Sequence, residues 1–530
     1  MTDTTSPATS SDRAAPAHAP WVLGALILVE AVANLNLSVA NVALPDIGRH
    51  FGSSQSQLNL VAVGFSLGLA GTVLYLGALG DRYGRSMMLL AGTALAIPTS
   101  IAAAWSPNVT FLIISRILGG VAAGMAYPTT LALITALWAG PGRVRAIAAW
   151  SAVGGSMAAV GPLVAGACLN SYWWGSCFLI SIPLAMLAIV LSFKFVPRHV
   201  NETTEPVDNL GGVLSIIGIV ALVLAINLAP SPGQGTVAII AIGIAMIAMV
   251  GFFLRQGRTT HPLFDLIIAR RRIFWVAACG GLIVFGTLMA AIFLGEQYLQ
   301  NVLGYSTLEA GASALPAAAA MLIAAPMSAK LIDRFGSRIT LLSGYAFCLG
   351  GFVVMLFTWT TDSGFGVVAL AFVLAGAGVG LAGTPASHSL TGSVPVRRAG
   401  MASGTSDLQR DLGGSIMQSL LGAILTAGYA SAVATKIAAS GHANDISAST
   451  KSLLQSSFAS AANIAEQTPA QAQAIIKGAR QSFLDGANWA YLVGCISIIA
   501  GAIVVATLYP KKDQELALFD SYAREDAQDS

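Results

Sequence analysis

The chain has 530 residues, of which 55% are hydrophobic and only 10% charged, and its net charge is +3. Soluble domains carry about 25% charged residues, so a water-soluble fold around one buried core is excluded, and so small a net charge gives no case for nucleic acid. The apolar residues fall in runs of roughly 20, the length that crosses a ~30 Å hydrocarbon core at 1.5 Å per residue.

Residues 1–20 are rich in Ser, Thr, Ala and Pro and read as a disordered tail. They lack the basic cluster of a signal peptide, and the apolar run that follows carries Glu30 and is too long for one. That run is the first of fourteen predicted spans: 21–44, 58–79, 87–105, 110–138, 147–169, 175–196, 210–229, 235–254, 273–295, 308–329, 339–358, 365–387, 401–430 and 486–509. The fold class is therefore an all-α membrane protein with 14 transmembrane helices. Lys and Arg set its orientation. The loops after even-numbered spans, counted with Lys194 and Arg410 from the adjoining spans, hold 17 of them, and the short loops after odd-numbered spans hold Arg49 alone. The positive-inside rule then puts both termini in the cytoplasm, with 510–530 as a cytoplasmic tail. The long loop 431–485 lies outside. Its stretches 449–466 and 469–484 are predicted as short surface helices, forming either a passive cap or a substrate gate. The five cysteines read as apolar packing residues without metal-ligand spacing, and Cys168 and Cys177 would pair only on an oxidising side.

An internal repeat organises the spans. Asp81-Arg82-Tyr83-Gly84 follows span 2, and Asp333-Arg334-Phe335-Gly336 follows span 10, 252 residues later. The copies hold the same place in a six-helix unit if two helices are inserted between the halves. The plan is 6 + 2 + 6: a first bundle at 21–198, two linker helices at 209–255 and a second bundle at 273–509. Two parallel halves that rock about a midplane site are a recurring transporter design.

Four segments stand out for their chemistry. In Gly77-Ala78-Leu79-Gly80-Asp81-Arg82-Tyr83-Gly84-Arg85 the glycines permit close helix approach and a sharp turn, and Asp81 can accept bonds from basic groups or helix ends of the opposite half. Gly77, Asp81, Arg82, Gly84 and Arg85, with Asp333, Arg334 and Gly336 of the repeat, are candidate gate residues; the plainer reading is a solvated turn. Arg116, within Leu112–Gly120 of span 4, is a charge in an apolar run that costs at least ~2.5–3.5 kcal/mol on insertion scales. It faces the interior and finds a partner, or it snorkels to an interface. Gly161-Pro162-Leu163-Val164-Ala165-Gly166 in span 5 lets backbones touch at Gly161 and Gly166, and Pro162 bends the helix. Span 1 closes on Leu35–Pro45, which holds Asn36 and Asn41.

These segments resemble the motifs of the major facilitator superfamily, and specifically of its fourteen-span drug:proton antiporter branch. The resemblance covers nearly the whole chain outside the tails. It implies the major facilitator fold and alternating access, a switch at the Asp81 loop, proton transfer through Arg116, and export from the Gly161–Gly166 motif. The chain departs from the pattern at Ser86, where a basic residue is usual, and at Gly119, where Gln is frequent. It also has Asn36 where the branch usually has Asp, so the usual proton or cation site lacks its acid. Glu30 is the replacement candidate. At 100° per residue, Asn34 lies about 40° and Asn41 about 20° from Glu30, whereas Asn36 is about 120° off their stripe. A carboxylate on that stripe faces the central cavity or pairs with another helix. Glu30 and Arg116 are the candidates for proton coupling; Asn34, Asn36, Asn41, Glu296 and Tyr298 are the candidates for the substrate cavity. Asp407, Arg410 and Asp411 read as a local ion pair.

The sequence contains no phosphate-cradling loop and no nucleophile with its base, so no catalytic residue, cofactor or metal is expected. The expected protein is a secondary active transporter and not an enzyme: a proton-coupled antiporter exporting small amphipathic molecules (drugs, dyes or secreted metabolites) from a bacterial cell. Its partners are the small-molecule substrate, protons and the lipid bilayer of the plasma membrane, and it is expected to work as a monomer. The alternatives are a proton symporter or lipid transporter of the same fold, or a non-transporting receptor or scaffold.

Overall fold

The computed structural model describes residues 16–53, 55–200, 205–229, 234–439 and 446–528, so the expected tail lies mostly outside the described residues. Within lipid every backbone polar group must be bonded internally, which leaves helices as the form open to apolar runs of this length. Among the described residues, fourteen helical segments are long and apolar enough to cross a membrane. They are α1 (Ala19–Phe51), α2 (Gln55–Tyr83), α3 (Arg85–Ala104), α4 (Val109–Leu137), α5 (Gly140–Leu169), α6 (Ser181–Phe195, preceded by a turn at Ser176–Leu179), α7 (Asn209–Leu228) and α8 (Gly235–Gln256). After these come α9 (Arg272–Asn301), α10 (Leu315–Phe335), α11 (Ser337–Thr358), α12 (Phe365–Gly392), α13 (Ala399–Ala439) and α14 (Ala472–Leu508). A final helix, α15 (Lys512–Gln528), is short of apolar residues.

The packed cores follow the 6 + 2 + 6 plan. Two apolar clusters draw only on residues 19–200, and one large cluster only on 264–522. A fourth joins α2 to the linker helices α7 and α8, through Val73, Leu74, Ile219 and Phe252. The outer faces stay apolar, with Ile239, Ile247, Ile323 and Phe357 exposed, as a surface solvated by lipid requires. Inside the first half, α2 and α4 touch backbone to backbone. A Cβ on Gly68 would lie 2.1 Å from the Ile117 carbonyl oxygen, and one on Gly120 equally close to that of Phe65. Between the halves, α2 packs along α13 and α5 along α10. The ends that carry Arg82, Arg143, Arg334 and Arg398 lie together and are termed the basic face.

Two expectations need correction. The predicted helix at 469–484 is not separate: α14 begins at Ala472 and runs unbroken for 37 residues, because its Ala- and Gln-rich start continues the span's helical register. The predicted 449–466 helix is two, Ala448–Ser456 and Phe458–Gln467, broken at extended Ser457, whose hydroxyl accepts from the Ser460 N–H. Within the expected tail at 510–530, Lys512–Gln528 form α15, which packs against the second half. The loop helices rest on α13 and α14, where the Tyr429 hydroxyl donates to the Leu454 carbonyl (3.1 Å) and Lys436 pairs with Asp485 (2.8 Å). Cys168 and Cys177 are both free thiols.

Candidate functional site

α1 is helical throughout the stretch that holds Glu30 and Asn34, so both project on one side of it. That side meets the second half. Glu30 is 0% exposed, and its Oε1 accepts from Arg410 Nη1 of α13 at 3.2 Å. The same nitrogen donates to the Tyr127 hydroxyl of α4 at 3.0 Å, and Arg410 Nη2 donates to Ser151 Oγ of α5 at 3.4 Å. The guanidinium lies over the rings of Trp150 (4.4 Å) and Phe285 (4.7 Å), contacts that favour a cation. The Trp150 ring is oriented by its own Nε1–H, which donates to Thr130 Oγ1 at 2.9 Å. Asn34 Nδ2 donates to the Glu30 carbonyl at 3.1 Å and reaches the Tyr127 hydroxyl at 3.5 Å. Acceptors remain spare in this network. Among the described residues, Glu30 Oε2, both carboxylate oxygens of buried Asp407 and Oδ2 of Asp411 have no hydrogen-bond partner. Glu30 thus meets the Arg410 guanidinium across the junction of the two halves, and Asp407 and Asp411 lie on Arg410's own helix.

A second cross-half contact lies at the basic face. Asp81 Oδ1 accepts from Arg85 Nε at 2.8 Å, and its Oδ2 accepts from the Gly400 N–H at 2.9 Å, at the first turn of α13. An anion there complements both the free N–H groups and the helix dipole. Arg85 Nη2 donates to the Val396 carbonyl at 2.6 Å. The approach is close: a Cβ on Gly77 would sit 3.1 Å from the Gly400 carbonyl oxygen. Gly84 turns the chain between α2 and α3 at φ 119, a conformation disfavoured for residues with a Cβ. Arg82 reaches the Glu205 carbonyl of the segment leading to α7.

Residues 26–418 match the Major Facilitator Superfamily. The chain belongs to that superfamily. Its relatives include the multidrug resistance protein Stp of Mycobacterium tuberculosis, 32% identical over 74% of this chain and 73% of that protein. The multidrug efflux pump LfrA of Mycolicibacterium smegmatis is 30% identical over 94% of this chain and 98% of its own length. The methyl viologen resistance protein SmvA of Salmonella typhimurium is 30% identical over 91% and 95%. Among solved structures, the human organic anion transporter MFSD10 superposes with a TM-score of 0.60 at 13% identity, covering 92% of this chain and 99% of that one. The proton:xylose symporter XylE gives 0.58 at 14% identity, over 93% and 96%. These two show the shared fold. The protein is a multi-pass membrane transporter of this superfamily.

Within this fold the expected site residues separate. Asn36 is not on the junction. The 120° between it and the Glu30 stripe turns it into the first half, where Nδ2 donates to the Val32 carbonyl and Oδ1 accepts from Ser100 and Ser181. Arg116 lies beside it, 2% exposed, so it does not snorkel. Tyr298 is 0% exposed, stacked on Trp359 at 4.5 Å and donating to the Thr360 carbonyl, which makes it core of the second half and not cavity wall. Glu296 is half-buried near the far end of α9. The Asn41 side chain lies outside the described residues. Gly161 abuts Ser38 of α1, Gly166 faces Leu308, and Pro162 touches Gly311, so the α5 motif lies between α1 and the second half. The repeat is asymmetric in use. Asp333 and Arg334 are exposed, and their carbonyls accept from Lys512 of α15, while Gly336 makes the turn at φ +82. Sequence reasoning placed Arg410 in a local ion pair near a loop, yet it spans to α1. Tyr127, Trp150 and Ser151 went unnoticed. The one available signal was an arginine inside an apolar run, which flags a buried charge but not its partner.

Proposed function

We propose that the protein exports small amphipathic molecules, drugs or dyes among them, across a bacterial plasma membrane in exchange for protons, with the basic face in the cytoplasm. One observation carries this reading: the buried Glu30–Arg410 ion pair that joins the halves. An ionised Glu30 holds Arg410. A proton arriving on Glu30 neutralises it, and the guanidinium then keeps only neutral partners and ring faces. Removing one member of a buried pair is worth about 3–5 kcal/mol, enough to shift a balance between two arrangements of the halves. The spare oxygens of Glu30 and Asp407 give a cationic or hydrogen-bond-donating substrate a place to compete with the proton. Such competition couples the two fluxes. The Asp81–Gly400 and Arg85–Val396 contacts serve as the latch of the cytoplasmic gate. The names of the related efflux pumps support the direction of transport and the substrate class.

The test is a panel of dyes and drugs in sealed proteoliposomes under an imposed pH gradient. The wild type exports, and Glu30→Gln loses gradient-driven export while still binding a neutral substrate, now without pH dependence. Export by Glu30→Gln at the wild-type rate would refute the assignment.

A further inference from the structure

Buried Arg85 and the mostly buried Arg410 each hold a carboxylate, at 2.8 and 3.2 Å. Arg116 is as deeply buried, and among the described residues it forms no ion pair. Its Nη1 donates to the Asn36 main-chain carbonyl at 2.7 Å and its Nε to that of Val61 at 3.4 Å. Its Nη2 has no acceptor among the described residues. The rings of Phe65 and Phe178 lie 4.9 and 5.5 Å from the guanidinium carbon. Carbonyl dipoles and ring faces soften a positive charge but do not cancel it. The one polar side chain positioned to help, Asn36, is an amide, and its Oδ1 already accepts from Ser100 and Ser181.

Arg116 also lines a small pocket among α1 to α4 of the first half, with room for about one water-sized body, away from the junction that holds Glu30. Asn36, Thr93, Thr99, Ser100 and Ser115 add polar atoms to a wall that is mostly apolar, with the Thr93 hydroxyl donating to the Leu89 carbonyl and that of Ser100 to Asn36. A net positive charge, a free N–H donor and a largely apolar lining together make a receptor for an anion. The charge to be balanced is a single one, so a dianion would leave an excess buried negative charge. An apolar wall favours a small anion that sheds water easily.

We propose that this cavity binds a small monovalent anion of the chloride type against Arg116 Nη2, as a resident counter-ion of the first half and not as transported cargo. Anything that binds the folded form alone raises its stability by mass action. The full-length protein is melted in detergent in sodium chloride, bromide, gluconate and acetate at equal ionic strength. Chloride and bromide are expected to raise the melting temperature by about 2–4 °C over gluconate, saturably. Arg116→Gln abolishes the response. Asn36→Asp supplies a carboxylate at the same wall, so it remains folded and becomes indifferent to the anion. Crystals grown in bromide should show an anomalous peak beside Arg116. Identical wild-type melting in chloride and gluconate, a response to acetate alone, or a halide response undiminished in both variants would each overturn the proposal.

Discussion

Gly154 has no side chain because the Glu30 carboxylate occupies the space where one would be. A Cβ there would lie 1.7 Å from Glu30 Oε1. The obstructing atom is the tip of a flexible side chain and not backbone, so Gly154→Ala should fold with Glu30 pushed aside. Its carboxylate would then lose alignment with Arg410, although every charge is retained. We expect Gly154→Ala to run as a monodisperse protein in detergent and to lower gradient-driven export at least about tenfold, a change of 1.4 kcal/mol or more. Normal export by this variant would mean that the ion pair tolerates displacement, and that its geometry is not what couples the halves. Buried pairs of this kind contribute little net stability, because desolvation offsets attraction. The value of Glu30 and Arg410 therefore lies in selecting an arrangement, which a transport assay reads and a melting curve does not.

At the scale of elements, α15 is held by complementary helix ends. Glu515 is buried, and its Oε2 accepts from the Ser337 N–H at the start of α11 while its Oε1 accepts from the Tyr509 hydroxyl, both at 3.1 Å. Lys512 Nζ donates to the Asp333 carbonyl at the end of α10 (2.6 Å). An acid at a helix start and a base at a helix end both match the dipole. Further along, Arg271 pairs with Asp526 at 2.7 Å and lies over the Tyr522 ring. Burial, the largest cause, raises the Glu515 carboxyl above its ordinary value, against the bonds from Ser337 that lower it. The docked helix therefore holds a proton more tightly than the undocked one. Docking is strongest at pH below the ordinary carboxylate value and weakens as pH rises through the raised one. Hydrogen-exchange protection of α15, corrected for intrinsic rates, should fall over that window. Glu515→Gln should flatten the dependence; a slope that survives the substitution would point to a different titrating group.

For the whole molecule, the halves meet along α2–α13 and α5–α10 and are fastened at two levels, Glu30–Arg410 within the membrane and Asp81–Gly400 at the basic face. The Asp81 contact is made to a helix start in the other half, away from Glu30 and Arg410. Asp81→Asn keeps one acceptor but loses the charge that complements the α13 dipole. It is expected to slow export strongly while leaving insertion and equilibrium substrate binding near wild type, as measured by turnover and by binding on the same preparation. A variant that lost only affinity at full maximal rate would rule out a latch. The orientation has its own check. Cysteines placed near 84, 271 and 335 should react with an impermeant reagent only from the cytoplasm, and those near 460 only from outside. Outside labelling near 271 would break the assignment of the basic face.

The sequence by itself determined the spans, the 6 + 2 + 6 plan and the superfamily. These rest on local signals: a lipid-solvated helix must be apolar over its whole length, and a repeated turn such as Asp81–Gly84 and Asp333–Gly336 needs the same residues in both copies. The sequence also set Glu30 and Asn34 on one face of α1 with Asn36 off it, since helical geometry alone fixes that angle. Which face meets which neighbour was decided by the tertiary structure. Glu30 and Arg410 are 380 residues apart in the chain, and nothing in either flanking segment names the other. Packing of α13 against α2 and α4 carries Arg410 to the acid, while packing within each half sets the Asn36 main-chain carbonyl on Arg116 and Tyr298 in a core against Trp359. It also gave the two copies of one motif different neighbours, the start of α13 for the first and Lys512 of α15 for the second. Pairing of buried charges is a property of distance in space, and distance in space is what a linear pattern of residues leaves open.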